Sequence, residues 1–198
     1  MSEPILSQDD DQRTRIVTTA ERLFGEIGFQ KTTVADIARA LRMSPANVYR
    51  FFHSKAEINE AVGALIMTET EAALERVVVG PGTAGERLAA VIATQERINA
   101  ERLVVDRRLH EMVEVALNEN WPIIARHIGT MHDILARVIA QGMADGEFAP
   151  GDATAAAGFV ATACMRFWHP RLMVECADKP SPTSAAMVAF CLRALRPT

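Results

Sequence analysis

Apolar residues recur with a helical period along most of the chain, starting in its first thirty residues. The first set follows spacings of three and four: Ile16, Ala20, Leu23, Phe24 and Ile27. This stripe predicts an amphipathic helix over residues 10–26 that buries one face. Gly28 is expected to end the helix in a left-handed conformation, and Phe29 to enter the core beside it.

Two shorter helical patterns lie between Lys31 and Ile58. The apolar face of the first comprises Val34, Ile37, Ala38 and Leu41. Thr33 and Asp36 have the spacing of a capping box at its start. Ser44 is expected to cap the second helix, with Pro45 at its first position, and Ser54 with Glu57 to cap a third. Since only Arg42 and Met43 remain between the first two helices, the pattern predicts a helix-turn-helix, the alternative being an ordinary helical hairpin.

The remaining residues also read as helical throughout. A long helix is predicted from Ser54 to about Val79, followed by helices at roughly 83–99, 102–118, 121–144, 152–168 and 182–195. Asp152 and Ser181 are the expected N-caps of the last two. The predicted fold class is therefore all-α, with an N-terminal three-helix head joined by the long helix to a C-terminal helical domain. The expected domains are residues 1–55, beginning with an acidic disordered arm over 1–9, and residues 56–198.

Composition narrows the possible environments of the chain. Of the 198 residues, 49% are hydrophobic, 23% charged and 6% aromatic, and no apolar run approaches the roughly 20 residues of a membrane-spanning helix. The polar, acidic N-terminus does not have the pattern of a signal peptide. The three cysteines show neither a zinc-site spacing nor a disulfide framework, so the expected location is the reducing cytoplasm.

Charge is distributed unevenly along the chain. The whole sequence carries −4, yet residues 12–55 contain eight basic and three acidic side chains, a net charge of +5. A basic surface around a helix-turn-helix is the electrostatic signature of nucleic-acid binding.

The segment FGEIGFQKTTVADIARALRMSPANVYRFFHSKAEI resembles the DNA-binding domain of the TetR/AcrR family of bacterial regulators. The similarity covers residues 12 to about 62. It rests on Gly28-Phe29, Thr32-Thr33, Ile37-Ala38, Ser44, the aromatic cluster from Tyr49 to Phe52, and Ser54-Lys55. Three positions depart from the family pattern: Arg42 replaces the usual turn glycine, Phe51 replaces a commonly polar residue, and Val34 cannot make a polar base contact.

The resemblance and the chemistry of the side chains together predict a DNA-binding surface. Its members are Thr32, Thr33, Arg42, Ser44, Pro45, Ala46, Asn47, Tyr49, Arg50, His53 and Lys55. Thr33, Tyr49 and Lys55 suit phosphate contacts, which position a protein without reading sequence. Asn47 suits an adenine, and Pro45 or Ala46 a thymine methyl. For each of these residues the alternative is a solvated helix face.

The same resemblance implies a C-terminal domain that dimerises and binds a small molecule. A soft apolar set with added histidines is the candidate effector pocket: Met67, His110, Met112, Trp121, His127, Met131, Phe159, Met165 and Trp168. Core filling is the alternative for each of them. His127 and His132 are five residues apart, off the spacing that joins two imidazoles on one helical face, so neither a metal nor a cofactor is predicted.

The leading hypothesis is a ligand-responsive repressor that binds a pseudo-palindromic operator as a homodimer, through small-residue helices at about 152–168 and 182–195. Two alternatives remain open. One is an all-α enzyme that uses His110 and Glu111, although adjacent helical residues point about 100° apart. The other is a regulator without any effector, whose domain interior is filled by side chains.

Overall fold

The computed structural model describes residues 8–104, 107–119 and 121–197, and these ranges contain helices and turns but no strands. Their α-helices are α1 (Gln8–Ile27), α2 (Val34–Ala40), α3 (Pro45–Tyr49), α4 (Lys55–Val78), α5 (Ala84–Asn99), α6 (Arg107–Asn118), α7 (Pro122–Ala144), α8 (Ala153–Trp168), α9 (Pro170–Glu175) and α10 (Ser184–Leu195). The all-α prediction is confirmed. Of the predicted acidic arm, residues 1–7 lie outside the described residues. Residues 8 and 9 already belong to α1, whose first turn carries three aspartates that favour the positive end of the helix dipole.

The chain divides into two compact units. The head unit comprises Met1–Ile66 with Asp106–Ile123, and the C-terminal unit comprises Met67–Val105 with Ile124–Thr198. Helix α6 thus belongs to the head unit, where it packs on α1, and α4 contributes residues to both units. The domain boundary expected between residues 55 and 56 stays a prediction.

Aromatic packing holds the core of the head unit together. The Phe24 and Phe29 rings meet edge to face, with centroids 5.6 Å apart and planes at 88°. Gly28 between them has φ +107°, so its left-handed conformation turns the chain and lets Phe29 pack back on α1. Most of the predicted apolar stripe of α1 is buried, but Ile27, the last residue of the helix, is 40% exposed.

The core of the C-terminal unit is built by α5, α7, α8 and α10, with the last turns of α4. Leu74, Leu88 and Ile134 are fully buried there. The Phe148 ring packs closely on the end of α7 at Gly142. This contact requires glycine, since a Cβ at position 142 would overlap the ring. Cys164 is also buried in this core, and its burial, together with the neighbouring Cys191 thiol, raises its pKa to about 12.

The N-terminus of α5 has a partner for each of its first four amides. Thr83 and Glu86 form a capping box that satisfies two of them. The Glu147 carboxylate, from the loop between α7 and α8, accepts the other two, from Ala84 N–H at 2.7 Å and Gly85 N–H at 2.9 Å. Since the free amides of a helix start need outside partners, Glu147 anchors the 145–151 loop to α5.

The helix predicted over 102–118 is wrong at its start. Residues Ala100–Val104 continue α5 as a π-helical turn, and α6 begins only at Arg107. Apolar periodicity does not separate a π turn from an α turn over so few residues.

Helix α9 lies between the helices predicted at 152–168 and 182–195 and is not among those that the sequence predicts. His169 precedes Pro170 and is extended, with φ −79° and ψ 115°, because the proline ring excludes the helical conformation from the residue before it. Pro170 then starts a new helix at a position where its missing N–H costs nothing. The same segment therefore both ends α8 and begins α9.

Two predicted caps also need correction. Thr183, not Ser181, caps α10, because its hydroxyl accepts Ala186 N–H at 3.2 Å, whereas the Ser181 hydroxyl donates to the Pro182 carbonyl. At α4, Ser54 caps Glu57 N–H at 3.1 Å as expected. The Glu57 carboxylate, however, reaches one residue further back, to His53 N–H at 2.7 Å.

Candidate nucleic-acid interface

A complete capping box starts α2. Asp36 N–H donates to the Thr33 hydroxyl oxygen at 3.2 Å, while Thr33 N–H and its hydroxyl donate to the Asp36 carboxylate at 3.0 and 2.6 Å. These hydrogen bonds lower the pKa of Asp36, and the bond from the Thr33 hydroxyl has the largest effect. Arg39 lowers the pKa further. Since a hydrogen-bonded carboxylate favours its charged form, the start of α2 is held firmly at neutral pH.

The turn after α2 is a Schellman motif with an arginine in the glycine position. Met43 N–H donates to the Ala38 carbonyl at 2.9 Å, and Arg42 N–H to the Arg39 carbonyl at 3.1 Å. This pair of bonds requires a left-handed residue between Leu41 and Met43, and Arg42 has φ +55°. Arg42 is the sole non-glycine residue with positive φ in the part of the chain that the structure describes.

Helix α3 buries one side and exposes the other. Ser44 accepts Asn47 N–H at 3.2 Å as its N-cap, and Pro45 occupies the first position. Val48 and the following Phe52 are buried, while Tyr49 is 46% exposed and Arg50 lies beside it. The Asn47 side-chain oxygen accepts a hydrogen bond from Arg50 at 3.3 Å, so these two polar groups are already close together.

Arg13 of α1 supports this exposed helix from behind. Its guanidinium lies over the Phe52 ring, 4.2 Å from the centroid, donates to the Phe51 carbonyl and lies 3.6 Å from a Glu57 carboxylate oxygen. Local sequence offers no signal for this contact, since the partners are 38 residues apart. Arg13 therefore fixes the end of α3 against α1 and α4.

Two predicted contact residues are placed inside the head unit. Thr32 is 0% exposed, and its hydroxyl donates to the Gly28 carbonyl at 2.8 Å and the Leu23 carbonyl at 3.3 Å, so the prediction that its side chain contacts DNA is corrected. The half-buried Lys55 ammonium donates to the carbonyls of Phe29 and Gln30 at 3.0 and 3.1 Å. Burial lowers its pKa. Lys55 ties the α1–α2 loop to α4, and only its remaining N–H bond can face a phosphate.

The other predicted DNA contacts do lie at the surface. Pro45, Ala46, Tyr49 and Arg50 are exposed, with Asn47 half-buried between them. Thr33, Arg42, Ser44 and His53 are also exposed, at the ends of α2, α3 and the turn before α4. We refer to these nine residues as the rim around α3.

The predicted effector residues are divided between the two units. His110, Met112 and Trp121 belong to the head unit, where Trp121 is buried against Gly63, whose added Cβ would lie 3.6 Å from the ring. His110 Nε2 lies 3.7 Å from the Glu114 carboxylate one turn further along α6. The others belong to the C-terminal unit: Met67, His127, Met131, Phe159, Met165 and Trp168.

Those in the C-terminal unit have unlike surroundings. His127 Nδ1 lies 2.7 Å from a Glu71 carboxylate oxygen and joins α7 to α4. Phe159 is 76% exposed on α8, and Met165 is exposed on the same helix. Neither of two open clefts in this unit, of 590 and 300 Å³, is lined by any of the nine predicted residues.

Helices α8 and α10 carry an exposed apolar surface. Phe159 on α8 and Phe190 on α10 are 76% and 58% exposed, and the positions around them are mostly alanine: Ala155, Ala185, Ala186, Ala189 and Ala194. Water-facing phenylalanines on two neighbouring helices mark a surface suited to association.

A short exposed helix on a capped turn, within a three-helix head that carries a net charge of +5 over residues 12–55, defines a helix-turn-helix DNA-binding protein. Two family models cover this chain: "Bacterial regulatory proteins, tetR family" at residues 16–62, and "Tetracyclin repressor-like, C-terminal domain" at residues 84–189. The chain belongs to the TetR family of bacterial transcriptional regulators. This family is one of regulators and not of enzymes, so the enzymatic alternative is excluded.

Individual relatives agree with this assignment. The HTH-type transcriptional regulator UidR of Escherichia coli is 27% identical over 163 residues, which is 78% of each chain. A transcriptional regulator from Cytophaga hutchinsonii superimposes with a TM-score of 0.72 at 18% identity, covering 95% of this chain and 100% of that one. RolR, solved in complex with resorcinol, gives a TM-score of 0.64 at 18% identity, covering 96% and 90%. These structural matches establish the shared fold. No helix among the described residues is both long and apolar enough to cross a membrane.

Proposed function

We propose that this protein is a cytoplasmic, ligand-responsive repressor that binds a pseudo-palindromic operator as a homodimer. The observation that carries the DNA-binding part is α3 itself. Its buried side is locked by Val48 and Phe52, and Arg13 fixes its end, so its exposed side is a rigid reading surface. Rigid presentation matters because base contacts tolerate little misplacement.

Specific roles follow for the rim around α3. The Tyr49 phenol, Thr33 and His53 bind phosphate oxygens and set the register on the duplex. Pro45, Ala46 and Asn47 face the base edges, where the Asn47 amide suits an adenine and the apolar pair suits a thymine methyl. When the protein binds DNA, Arg50 gives up its hydrogen bond to Asn47 and binds a phosphate or a guanine instead. Lys55 and Ser44 assist mainly by holding the elements that carry these residues.

Dimerisation through α8 and α10 accounts for their exposed apolar surface. A second copy of the same surface covers Phe159 and Phe190, because a two-fold axis pairs a patch with itself. Two heads related by this axis would meet half-sites about 34–36 Å apart, one turn of DNA.

Regulation by a small ligand would act through α4. Its Glu69, Glu71 and Glu75 pair with Arg102, His127 and Arg137, all within the C-terminal unit. A ligand that displaces α7 therefore displaces α4, which also supplies residues to the head unit. RolR, a protein of the same fold solved with resorcinol, supports a small aromatic molecule as one class to screen.

The test is selection of genomic fragments by the purified protein at about 0.15 M salt, with Tyr49→Ala and Tyr49→Phe beside the wild type. A repressor of this kind retains one or a few palindromic fragments. The alanine variant loses them, and the phenylalanine variant binds them roughly 100-fold more weakly, because the dimer loses two hydrogen bonds to charged groups at about 1.5 kcal/mol each. Equal, weak retention of all fragments by all three proteins contradicts sequence-specific binding.

A second candidate is a regulator without an effector. It is favoured by the filled core of the C-terminal unit and by the two clefts of that unit, which none of the nine predicted pocket residues lines. Thermal-shift screening of the full chain against small aromatic compounds separates the two candidates. A ligand at 100 times its Kd should stabilise the protein by about 2.7 kcal/mol, and it should also release the selected fragment.

A further inference from the structure

Most of the positive charge between Arg13 and Lys55 is already paired within the protein. The eight basic side chains between Arg13 and Lys55 are all described, and six of them have a partner within the chain. Their partners are carboxylates, carbonyls, side-chain oxygens or aromatic rings, for Arg13, Arg15, Arg22, Arg39, Arg50 and Lys55. The other two, Lys31 and Arg42, are exposed and have no hydrogen bond or ion pair from their side chains.

These two uncommitted cations bracket α2. Lys31 lies two residues before its N-cap Thr33, and Arg42 lies two residues before Ser44, the N-cap of α3. The seven residues of α2 span about 10 Å, so the two charges are placed at its opposite ends. In a helix-turn-helix the first helix crosses the DNA backbone, which puts both ends of α2 near phosphates.

Arg42 also occupies its position against a conformational preference. Its φ of +55° lies in the region where glycine is easily accommodated and side chains are not. No internal contact of the guanidinium compensates for this. A residue that is strained and has no structural partner is a candidate for function, since strain of this kind concentrates at binding sites.

We propose that Lys31 and Arg42 form a phosphate clamp across α2 that supplies most of the salt-dependent affinity for DNA. The proposal rests on the DNA-binding function proposed above. Each phosphate neutralised contributes about 0.9 to the slope of log affinity against log salt. With four such contacts in a dimer, raising the salt concentration from 50 to 200 mM weakens DNA binding about 150-fold.

The experiment measures anisotropy of a fluorescein-labelled 30-base-pair duplex of mixed sequence, because this electrostatic component does not depend on sequence. The full-length wild type is compared with Arg42→Gly, Arg42→Lys and Lys31→Gln from 50 to 200 mM KCl. Arg42→Gly and Lys31→Gln should each lower the slope by about 1.8 per bound dimer, and Arg42→Lys should restore it. Arg22→Gln, which removes a cation paired with Glu26, is the matched control and should leave the slope unchanged.

Melting temperature provides a second, independent readout. Arg42→Gly should melt at a temperature equal to or about 2–4 °C above the wild type, because glycine relieves the left-handed strain. Weaker DNA binding by a more stable variant distinguishes a lost contact from damage to the fold.

The possible failures are separable. A wild type that binds no duplex at 50 mM salt overturns the DNA-binding function itself. A wild type that binds, with slopes unchanged in Arg42→Gly and Lys31→Gln, overturns the clamp while leaving that function intact.

Discussion

The carboxylate of Glu147 offers a direct test of how the C-terminal unit is held together. It accepts the Ala84 and Gly85 amides at the start of α5, while the neighbouring Ala149 N–H donates to the Leu195 carbonyl at the end of α10 at 2.7 Å. The 145–151 loop, which joins α7 to α8 along the chain, is thereby also hydrogen-bonded to α5 and α10. Replacing Glu147 with alanine removes both hydrogen bonds to α5 and leaves the backbone of the loop in place.

The expected loss follows from the two bonds. A hydrogen bond to a charged group contributes about 1.5–3 kcal/mol, and Glu147 is only half-buried, so the lower value applies to each. The free energy of unfolding should therefore fall by about 3 kcal/mol in Glu147→Ala. For a chain of this size, each kcal/mol corresponds to roughly 2–4 °C, which predicts a melting temperature lower by about 6–12 °C.

Thermal unfolding followed by circular dichroism measures this shift. Glu147→Gln keeps one acceptor oxygen and should fall between wild type and alanine. Glu175→Ala removes an exposed carboxylate at the end of α9 and should change the melting temperature by no more than about 2 °C. A melting temperature of Glu147→Ala equal to that of Glu175→Ala would contradict the stabilising role assigned to the two Glu147 hydrogen bonds.

Three further predictions address the dimer, the cysteines and acid stability. Phe159→Glu combined with Phe190→Glu should yield a folded monomer in analytical ultracentrifugation, because two carboxylates on each surface oppose association; an unchanged dimer refutes this interface. In the native protein, alkylation should modify the half-buried Cys176 before Cys164, whose raised pKa and full burial suppress the reactive thiolate; mass spectrometry of partly labelled protein settles the order. The folded-state pKa of Asp36 is lowered, so its contribution to stability is present above about pH 3.8 and is lost as the pH falls through that lowered pKa. The stability difference between wild type and Asp36→Ala in urea should accordingly narrow on acidification, and a difference that widens contradicts the assignment.

Local signals in the sequence were enough to predict the helix-turn-helix. Thr33 with Asp36, Ser44 with Pro45, and the left-handed Gly28 each depend on atoms within a few residues, so the side chains present at those positions determine the geometry. The same holds for the apolar faces of α2 and α3, because burial of Val48 follows from a period that the sequence displays. Family resemblance then added the function of this element.

Tertiary packing decided which side chains remain available for function. Arg13 and Lys55 look like surface polar groups in the sequence, and each is engaged by a carbonyl or ring from elsewhere in the head unit. Thr32 is buried by nearer partners, the carbonyls of Gly28 and Leu23. The predicted effector residues were likewise divided between the two units, since apolar composition does not say which unit a helix joins. Partners 20 to 60 residues apart are brought together only when the whole core packs, and no local pattern in the sequence contains that information.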